Sequence, residues 1–275
     1  MIAEGWLVIY MDDLLFYSDN DKDYEKQTKQ VLQRMKELDL YLKLEKCSFN
    51  ISKVEYLGMI VKPGSLAMDP VKVAGIADWP VPSTVKDVQS FLGFTNFYRC
   101  FVPHYSDTAH PHLDLTKKTH PWSWDCSCNN AFTALKAMFT SQPVLHLPDL
   151  SAPFAISTDT SKHASGGVLL QRDINNEWHP CTYLSQTFGP TEHNYNIYDQ
   201  ELLAVMRVLD AWHHYLLSSP TMVQVFTGHK NLTYFRQPRN LNHQQARWLL
   251  DLSEFDLTFE HIPGKDLCTP DTLSH

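Results

Sequence analysis

The stretch around Asp12 and Asp13 restricts the fold of this chain more than any other. Short apolar runs at residues 6–10 and 14–17 flank the two acids, and they are rich in residues that favour β-strands. This pattern predicts two buried strands in a hairpin, with the acids at or near its apex. Adjacent carboxylates repel each other, and a bound Mg²⁺ ion, which prefers oxygen ligands, would remove that repulsion. A solvated Asp-Asp turn is the alternative, but the apolar flanks and Tyr10 favour the metal site.

Tyr10-Met11-Asp12-Asp13 resembles the motif that reverse transcriptases carry on a hairpin of the palm domain. The resemblance implies that Asp12 and Asp13 bind the metal ions of a two-metal nucleotidyl transfer. Members of that family use a third aspartate on a strand well upstream of the hairpin. The chain starts close before Asp12, so we expect this aspartate to be absent and the chain alone not to extend a primer.

Bulk properties indicate a folded, multi-part protein. A length of 275 residues suggests two domains or three smaller pieces, and an apolar fraction of 43% supports packed cores. No apolar run is long enough to cross a membrane, and no signal peptide is recognisable. The six cysteines are scattered and do not resemble a disulfide framework, which favours a reducing, intracellular compartment.

Residues 1–68 are predicted to form the C-terminal part of a palm. Apolar residues recur at helical spacing over residues 21–38, and strands are predicted at 41–44 and 54–61. Gly58 interrupts the second strand, which indicates a bulge or a close approach of another backbone or a ligand. Tyr56-Leu57-Gly58 resembles the primer grip of polymerases, which implies a nucleic-acid contact; from the residues alone, a strand kink is the preferred interpretation.

Residues 69–149 are predicted to form a helical, thumb-like connection. Asp69-Pro70 and Ser83 or Thr84 have the chemistry of helix starts. The aromatic run at 91–99 resembles the thumb-side segment of gypsy-type LTR retrotransposon polymerases, although aromatic residues at helical spacing are more often core. A looser, proline-containing stretch precedes a helix predicted at about 128–139.

Residues 150–275 are predicted to form an α/β or α+β domain, because strand and helix patterns are mixed along them. Its predicted strands lie at 154–159, 166–171, 181–184, 221–227 and 257–262, and its predicted helices at 198–216 and 244–252.

Three acids in this last segment occur in a distinctive order and context. Asp159 ends a strand, Glu201 lies near the start of a long helix, and Asp271 lies in Asp271-Thr272-Leu273-Ser274. Each acid alone has an ordinary explanation, such as a strand-end turn or a helix cap. Together, with Gly166-Gly167 after the first, they resemble the metal-binding carboxylates of the RNase H fold. The resemblance implies a two-metal hydrolysis of RNA in RNA/DNA hybrids.

One position departs from that family. Where its members usually have Thr-Asp-His-Lys, this chain has Thr227-Gly228-His229-Lys230. One of four metal-binding carboxylates is therefore missing, and we expect RNase H activity to be strongly reduced or lost.

The net charge of the chain is −8, so net charge does not indicate a nucleic-acid-binding protein. The distribution of charge is more informative, since residues 229–250 contain four basic side chains, no acid and three interleaved aromatic residues. This patch is a candidate phosphate-binding surface, with a solvated basic helix as an equal rival. Its candidate contacts are His229, Lys230, Arg236, Arg239 and Arg247.

Together these patterns resemble the Pol polyprotein of gypsy-type LTR retrotransposons over essentially the whole chain: the end of a palm, a thumb-like connection and an RNase H-like mixed-sheet domain. The resemblance implies Mg²⁺ or Mn²⁺ as cofactor, an RNA/DNA hybrid or primer-template as partner, and no membrane. It also implies association with the rest of the polyprotein and a location in cytoplasmic virus-like particles or the nucleus. A non-catalytic nucleic-acid-binding remnant of a retroelement is the alternative.

Overall fold

The computed structural model describes residues 5–18, 20–141, 143–228 and 243–262. The chain divides into two compact units, Met1–Leu57 and Gly58–His275. The three-part division at residues 68 and 149 remains a prediction. No helix among the described residues is long and apolar enough to cross a membrane.

The first unit contains a hairpin, one long helix and a short third strand. Its elements are, in chain order, β1 (Leu7–Tyr10), β2 (Asp13–Phe16), α1 (Asp21–Glu37), a 3-10 turn (Leu44–Lys46) and β3 (Val54–Tyr56). β1 and β2 are antiparallel, and Tyr10 lies opposite Asp13. The N-cap Asn20 starts α1 by accepting a hydrogen bond from the backbone N–H of Asp23 at 2.9 Å.

Two predictions for this unit are wrong. The hairpin strands were expected to be buried, but only Leu7 of β1 is, and the other three residues of that strand are exposed. The reason is that, among the described residues, β1 pairs only with β2, and a two-stranded ribbon has two open faces. The strand predicted at 41–44 is irregular chain leading into the 3-10 turn, because alternation over four residues does not by itself provide a pairing partner.

The second unit begins with strands and helices that alternate irregularly. The elements of this part are β4 (Met59–Lys62), β5 (Ser65–Met68), α2 (Pro70–Ala77), α3 (Val85–Phe97), a 3-10 turn (Arg99–Phe101), α4 (Tyr105–Leu115), α5 (Cys126–Thr140) and β6 (Val144–His146). β5 pairs antiparallel with both β4 and β6. The predicted helix starts are confirmed: Asp69 caps α2, and Thr84 caps α3 in a capping box with Asp87.

Helix α4 falls where the sequence predicted a looser stretch, and Pro111 lies inside it. An interior proline costs about 3 kcal/mol because it removes a hydrogen bond and crowds the preceding turn. Burial on this helix offsets the cost: Ala109 and His112 are fully buried. The Nε2 of His112 lies 2.9 Å from the carbonyl oxygen of Cys128 on α5, and its ring stacks on Trp124.

The rest of the second unit is a five-stranded mixed sheet with helices. Its elements are β7 (Phe154–Thr160), β8 (Ala164–Arg172), β9 (Trp178–Thr187), a 3-10 turn (Glu192–Asn194), α6 (Ile197–Ala211), α7 (His213–Leu216), β10 (Val223–Thr227), α8 (His243–Leu252) and β11 (Leu257–His261). The strand order is β11-β10-β7-β8-β9. β11, β10 and β7 are parallel, and β7, β8 and β9 are antiparallel. The predicted mixed α/β fold is therefore confirmed.

This sheet is covered on both faces, because alternate residues of its strands enter two different cores. Ile156 and Leu169 pack with Leu202 and Val205 of α6. The opposite face, through Ala155 and other residues, joins a core shared with α3, α4 and α5. Most of the aromatic run at 91–99 belongs to that second core, while Phe97 remains exposed.

α6 approaches the sheet so closely that a larger residue at one position would force a neighbouring side chain to shift. A Cβ atom at Gly167 on β8 would overlap the Cγ2 atom of Val208 on α6. Gly167 therefore serves helix–sheet packing, whereas a Cβ atom at Gly166 would make only ordinary van der Waals contacts.

Candidate active site

Asp159 lies near the C-terminal end of β7, the central strand of the mixed sheet. Its side chain is exposed, while the five preceding residues of the strand are buried. The strand pairing places Gly166 of β8 directly opposite it. The backbone N–H of Thr160 donates a hydrogen bond of 2.9 Å to the Oδ1 atom of Asp159, which fixes one carboxylate oxygen.

Glu201 lies in the second turn of α6 and is nearly inaccessible, with 7% of its surface exposed. The hydroxyl of Thr160 donates a hydrogen bond of 2.7 Å to its Oε1 atom, which ties α6 to the end of β7. The pKa of Glu201 is raised from 4.5 to about 7, chiefly by burial; the Thr160 hydrogen bond opposes this rise and the charge of Asp159 adds to it. The two acids therefore interact electrostatically.

The second oxygen of Glu201 has no hydrogen-bond partner among the described residues, although it is buried. An unpaired buried carboxylate oxygen is costly, and divalent cations such as Mg²⁺ bind oxygen ligands of this kind. The donor chemistry of Asp159 and Glu201 therefore fits a hard divalent cation. Asp271, the third predicted ligand, lies outside the described residues.

Gly228, where the sequence predicts that a metal-binding carboxylate is missing, directly follows the last residue of β10. Thr227 of β10 pairs in parallel with Thr158 of β7. Continuing the register by one residue places position 228 beside Asp159, at the usual spacing of about 4.8 Å between neighbouring strands. Glycine supplies no carboxylate there, and the loss of a metal ligand at this position stays a prediction.

The first unit carries the other predicted acid pair. Asp12 lies in the turn of the hairpin, after Met11 with a φ of +53°, and Asp13 is the first residue of β2; both acids are exposed. Burial raises the pKa of Tyr56, and the charge of Asp13 raises it further, so this predicted nucleic-acid contact lies near the hairpin acids. The Tyr56 hydroxyl oxygen has no hydrogen-bond partner among the described residues.

The other predicted nucleic-acid contacts are only partly described. Leu57 and Gly58 both have positive φ, and the Gly58 carbonyl accepts a hydrogen bond of 3.0 Å from Tyr98. Arg247 is exposed on α8. The other candidate contacts of the basic patch lie outside the described residues. They are His229, Lys230, Arg236 and Arg239.

One further group of potential ligands has a structural explanation. Asp173, Glu177 and His179 bring ligand atoms within 4.8 Å of one another in the turn between β8 and β9. Asp173 already accepts hydrogen bonds from the backbone N–H groups of Asn175 and Glu177, and its other oxygen lies 3.3 Å from His179. These bonds close the turn.

Sequence reasoning missed Thr160, which contacts both acids of the candidate site. A polar residue directly after a strand-end acid was a visible signal. Its partner, however, is 41 positions away, and only the packing of α6 on the sheet brings the two together.

Two family models match the chain. The first is described as "Reverse transcriptase (RNA-dependent DNA polymerase)" and matches residues 3–61. The second is described as "RNase H-like domain found in reverse transcriptase" and matches residues 124–223.

Similar curated proteins are transposon polyproteins. The Retrovirus-related Pol polyprotein from transposon 297 of Drosophila melanogaster is 32% identical over 268 residues, which is 97% of this chain and 25% of that protein. The Transposon Tf2-3 polyprotein of Schizosaccharomyces pombe is 32% identical over 275 residues, 98% of this chain and 20% of that protein. The chain thus spans a quarter or less of these relatives.

Similar solved structures are foamy viral protease-reverse transcriptases. One, in complex with an RNA/DNA hybrid, has a TM-score of 0.76 and 19% identity, and the match covers 96% of this chain and 36% of that one. Another, in complex with double-stranded DNA, has a TM-score of 0.76 and 19% identity over 95% of this chain and 56% of that one. At this identity the match establishes the fold.

Proposed function

Because this chain carries reverse transcriptase and RNase H-like segments of an LTR retrotransposon Pol polyprotein, we propose that it binds RNA/DNA hybrids through them. In this proposal, Asp159 and Glu201 form the site that hydrolyses the RNA strand. The observation that carries it is the buried, unpaired Oε2 atom of Glu201 beside Asp159. A similar foamy viral enzyme has been solved with an RNA/DNA hybrid, which supports the same ligand class here.

Asp159, Glu201 and Asp271 would hold the divalent cation, Mg²⁺ or Mn²⁺. When bound, such ions activate the attacking water and stabilise the charge that develops on the phosphate. The chain's own contribution is positional: β7 and α6 hold two carboxylates in contact with Thr160, one exposed and one buried. Ion binding requires an ionised Glu201, so it releases a proton when that group starts protonated.

The hairpin acids Asp12 and Asp13 are proposed to bind the metal ions of nucleotidyl transfer, with Tyr56, Leu57 and Gly58 supporting the primer. Their exposure next to a tight turn supports access for a primer-template. The remainder of the Pol polyprotein is the proposed protein partner. The proposed location is intracellular, in cytoplasmic virus-like particles or the nucleus, as for an LTR retrotransposon Pol protein.

We propose that hydrolysis is impaired because Gly228 lacks the carboxylate that its place beside Asp159 would provide. The test compares RNA cleavage in a hybrid by the unmodified chain, Gly228→Asp, and Gly228→Asn as a variant of the same shape without the charge. We expect Gly228→Asp to cleave at least about tenfold faster, since loss of a metal-supporting group typically costs 10–100-fold. Asp159→Asn should abolish the restored cleavage.

Measurable cleavage by the unmodified chain at the rate of Gly228→Asp would contradict the impairment. The alternative function, a non-catalytic nucleic-acid-binding remnant, is favoured by Gly228 itself. Hybrid binding without cleavage by both chains would support that alternative.

A further inference from the structure

We propose that Thr160 is a positioning residue that sets the separation and orientation of the two metal-binding carboxylates. This inference rests on the proposed function, because it concerns the same site. It assigns a role to a side chain that is not itself a ligand.

Thr160 makes one hydrogen bond to each acid, from two different groups. Its backbone N–H donates to Oδ1 of Asp159 at 2.9 Å, and its hydroxyl donates to Oε1 of Glu201 at 2.7 Å. One residue therefore joins an acid on β7 to an acid on α6. Two short bonds from a residue within a paired strand restrict where both carboxylates lie, since Thr160 is itself held opposite Ser165 of β8.

The bonds also orient the carboxylates relative to a cation. They occupy Oδ1 of Asp159 and Oε1 of Glu201, and Oε2 of Glu201 is left buried without a hydrogen bond among the described residues. The carboxylate of Glu201 is thus oriented with one oxygen tied to the strand. Hydrogen bonds of this kind orient metal ligands in proteins, and their loss typically weakens metal binding.

The hydroxyl can be removed without changing the shape of the side chain. Thr160→Val keeps the branched side chain that suits a strand and lacks the donor, whereas Thr160→Ser keeps the donor and lacks the methyl group. The backbone bond to Asp159 persists in both. The pair therefore separates the hydroxyl from packing.

The experiment measures Mn²⁺ binding by the full chain, following the electron paramagnetic resonance signal of free Mn²⁺, with and without Gly228→Asp. We expect Thr160→Val to raise the dissociation constant by about tenfold, and Thr160→Ser to leave it within about threefold of the unmodified value. Thermal unfolding of each metal-free variant shows that both remain folded.

Three outcomes would overturn the inference. Unchanged binding in Thr160→Val shows that the hydroxyl does not position the acids. Equal loss in Thr160→Val and Thr160→Ser shows that keeping the donor does not rescue binding, so the effect does not come from the hydroxyl alone. Asp159→Asn separates this inference from the proposed function: if it leaves Mn²⁺ binding unchanged, the site itself is wrong, whereas loss in Asp159→Asn with no effect of Thr160→Val makes only the positioning role wrong.

Discussion

Glu201 holds a carboxyl group away from water in the N-terminal half of α6, beside another acid. Folding therefore makes the ionised form less favourable, and the folded chain binds the proton more tightly than the unfolded chain does. A bound metal ion or a bound proton would neutralise this buried negative charge and remove its cost. The state of Glu201 thus couples the stability of the second unit to pH and to divalent cations.

We predict that the stability contributed at Glu201 decreases as pH rises. Its pKa is raised from 4.5 to about 7, so between these pH values the folded chain keeps a proton that the unfolded chain has released; the stabilisation is fully present below pH 4.5, decreases across this range and is lost above about pH 7. The full effect is at most about 3 kcal/mol, because each pKa unit corresponds to about 1.4 kcal/mol. Glu201→Gln should remove this slope. Urea unfolding with EDTA between pH 5 and 8 measures it.

The free energy of unfolding must be compared between the unmodified chain and Glu201→Gln at each pH. Other acids contribute a pH dependence of the opposite sign. Hydrogen bonds lower the pKa of Asp87 and Asp173, and their stabilisation is lost as pH falls. If the stability difference between Glu201→Gln and the unmodified chain does not change with pH, folding does not raise the pKa of Glu201.

At the scale of the element, contact between α6 and the sheet determines where the site residues lie. Leu202, Val205 and Val208 of α6 are buried against the strands. Val208 occupies the space that a side chain at position 167 would need. The position of Glu201 relative to Asp159 therefore depends on a glycine on β8.

We predict that Gly167→Ala destabilises the chain by about 1–3 kcal/mol, the usual cost of overpacking a well-filled interior. Gly93→Ala is the matched control, because Gly93 is exposed on α3 and an added Cβ meets nothing within 4 Å. That control should stabilise the chain by up to about 1 kcal/mol. Urea unfolding measures both. A neutral Gly167→Ala would show that α6 can move away from the sheet without cost.

Elements with strong local signals were predictable, and those that depend on tertiary contacts were not. Thr84 and Asp87 identify the start of α3 because a capping box involves only neighbouring residues. α4 escaped prediction because the burial that offsets Pro111 comes from α5. In the site, Asp159 and Glu201 were found by their motifs, whereas the role of Thr160 depends on how α6 packs.

At the scale of the whole molecule, the chain carries a net charge of −8 and is proposed to bind a polyanion. The exposed acids Asp12, Asp13 and Asp159 would repel phosphates unless cations neutralise them. Divalent cations therefore serve binding as well as chemistry.

We predict that replacing Mg²⁺ by EDTA at constant ionic strength weakens hybrid binding by roughly fivefold, since one uncompensated charge pair at contact costs about 1 kcal/mol in water. Asp159→Asn with Glu201→Gln should reduce this sensitivity. Asp210→Asn, at an exposed acid at the far end of α6, should leave it unchanged. Fluorescence anisotropy with a labelled hybrid measures it. Equal sensitivity in all three chains would contradict a local origin.

The core shared by the helical segment and the mixed sheet has an evolutionary consequence. It extends along the chain from Met68 to Phe226, with Phe91 and Phe139 contributed before residue 150 and Ala155 and Val168 after it. Retroelements that exchanged sequence by recombination near residue 150 would join two halves whose buried surfaces had not been selected together. Such chimaeras should be under selection for compensating changes on both sides of the crossover, so the helical segment and the sheet are expected to be inherited as one block.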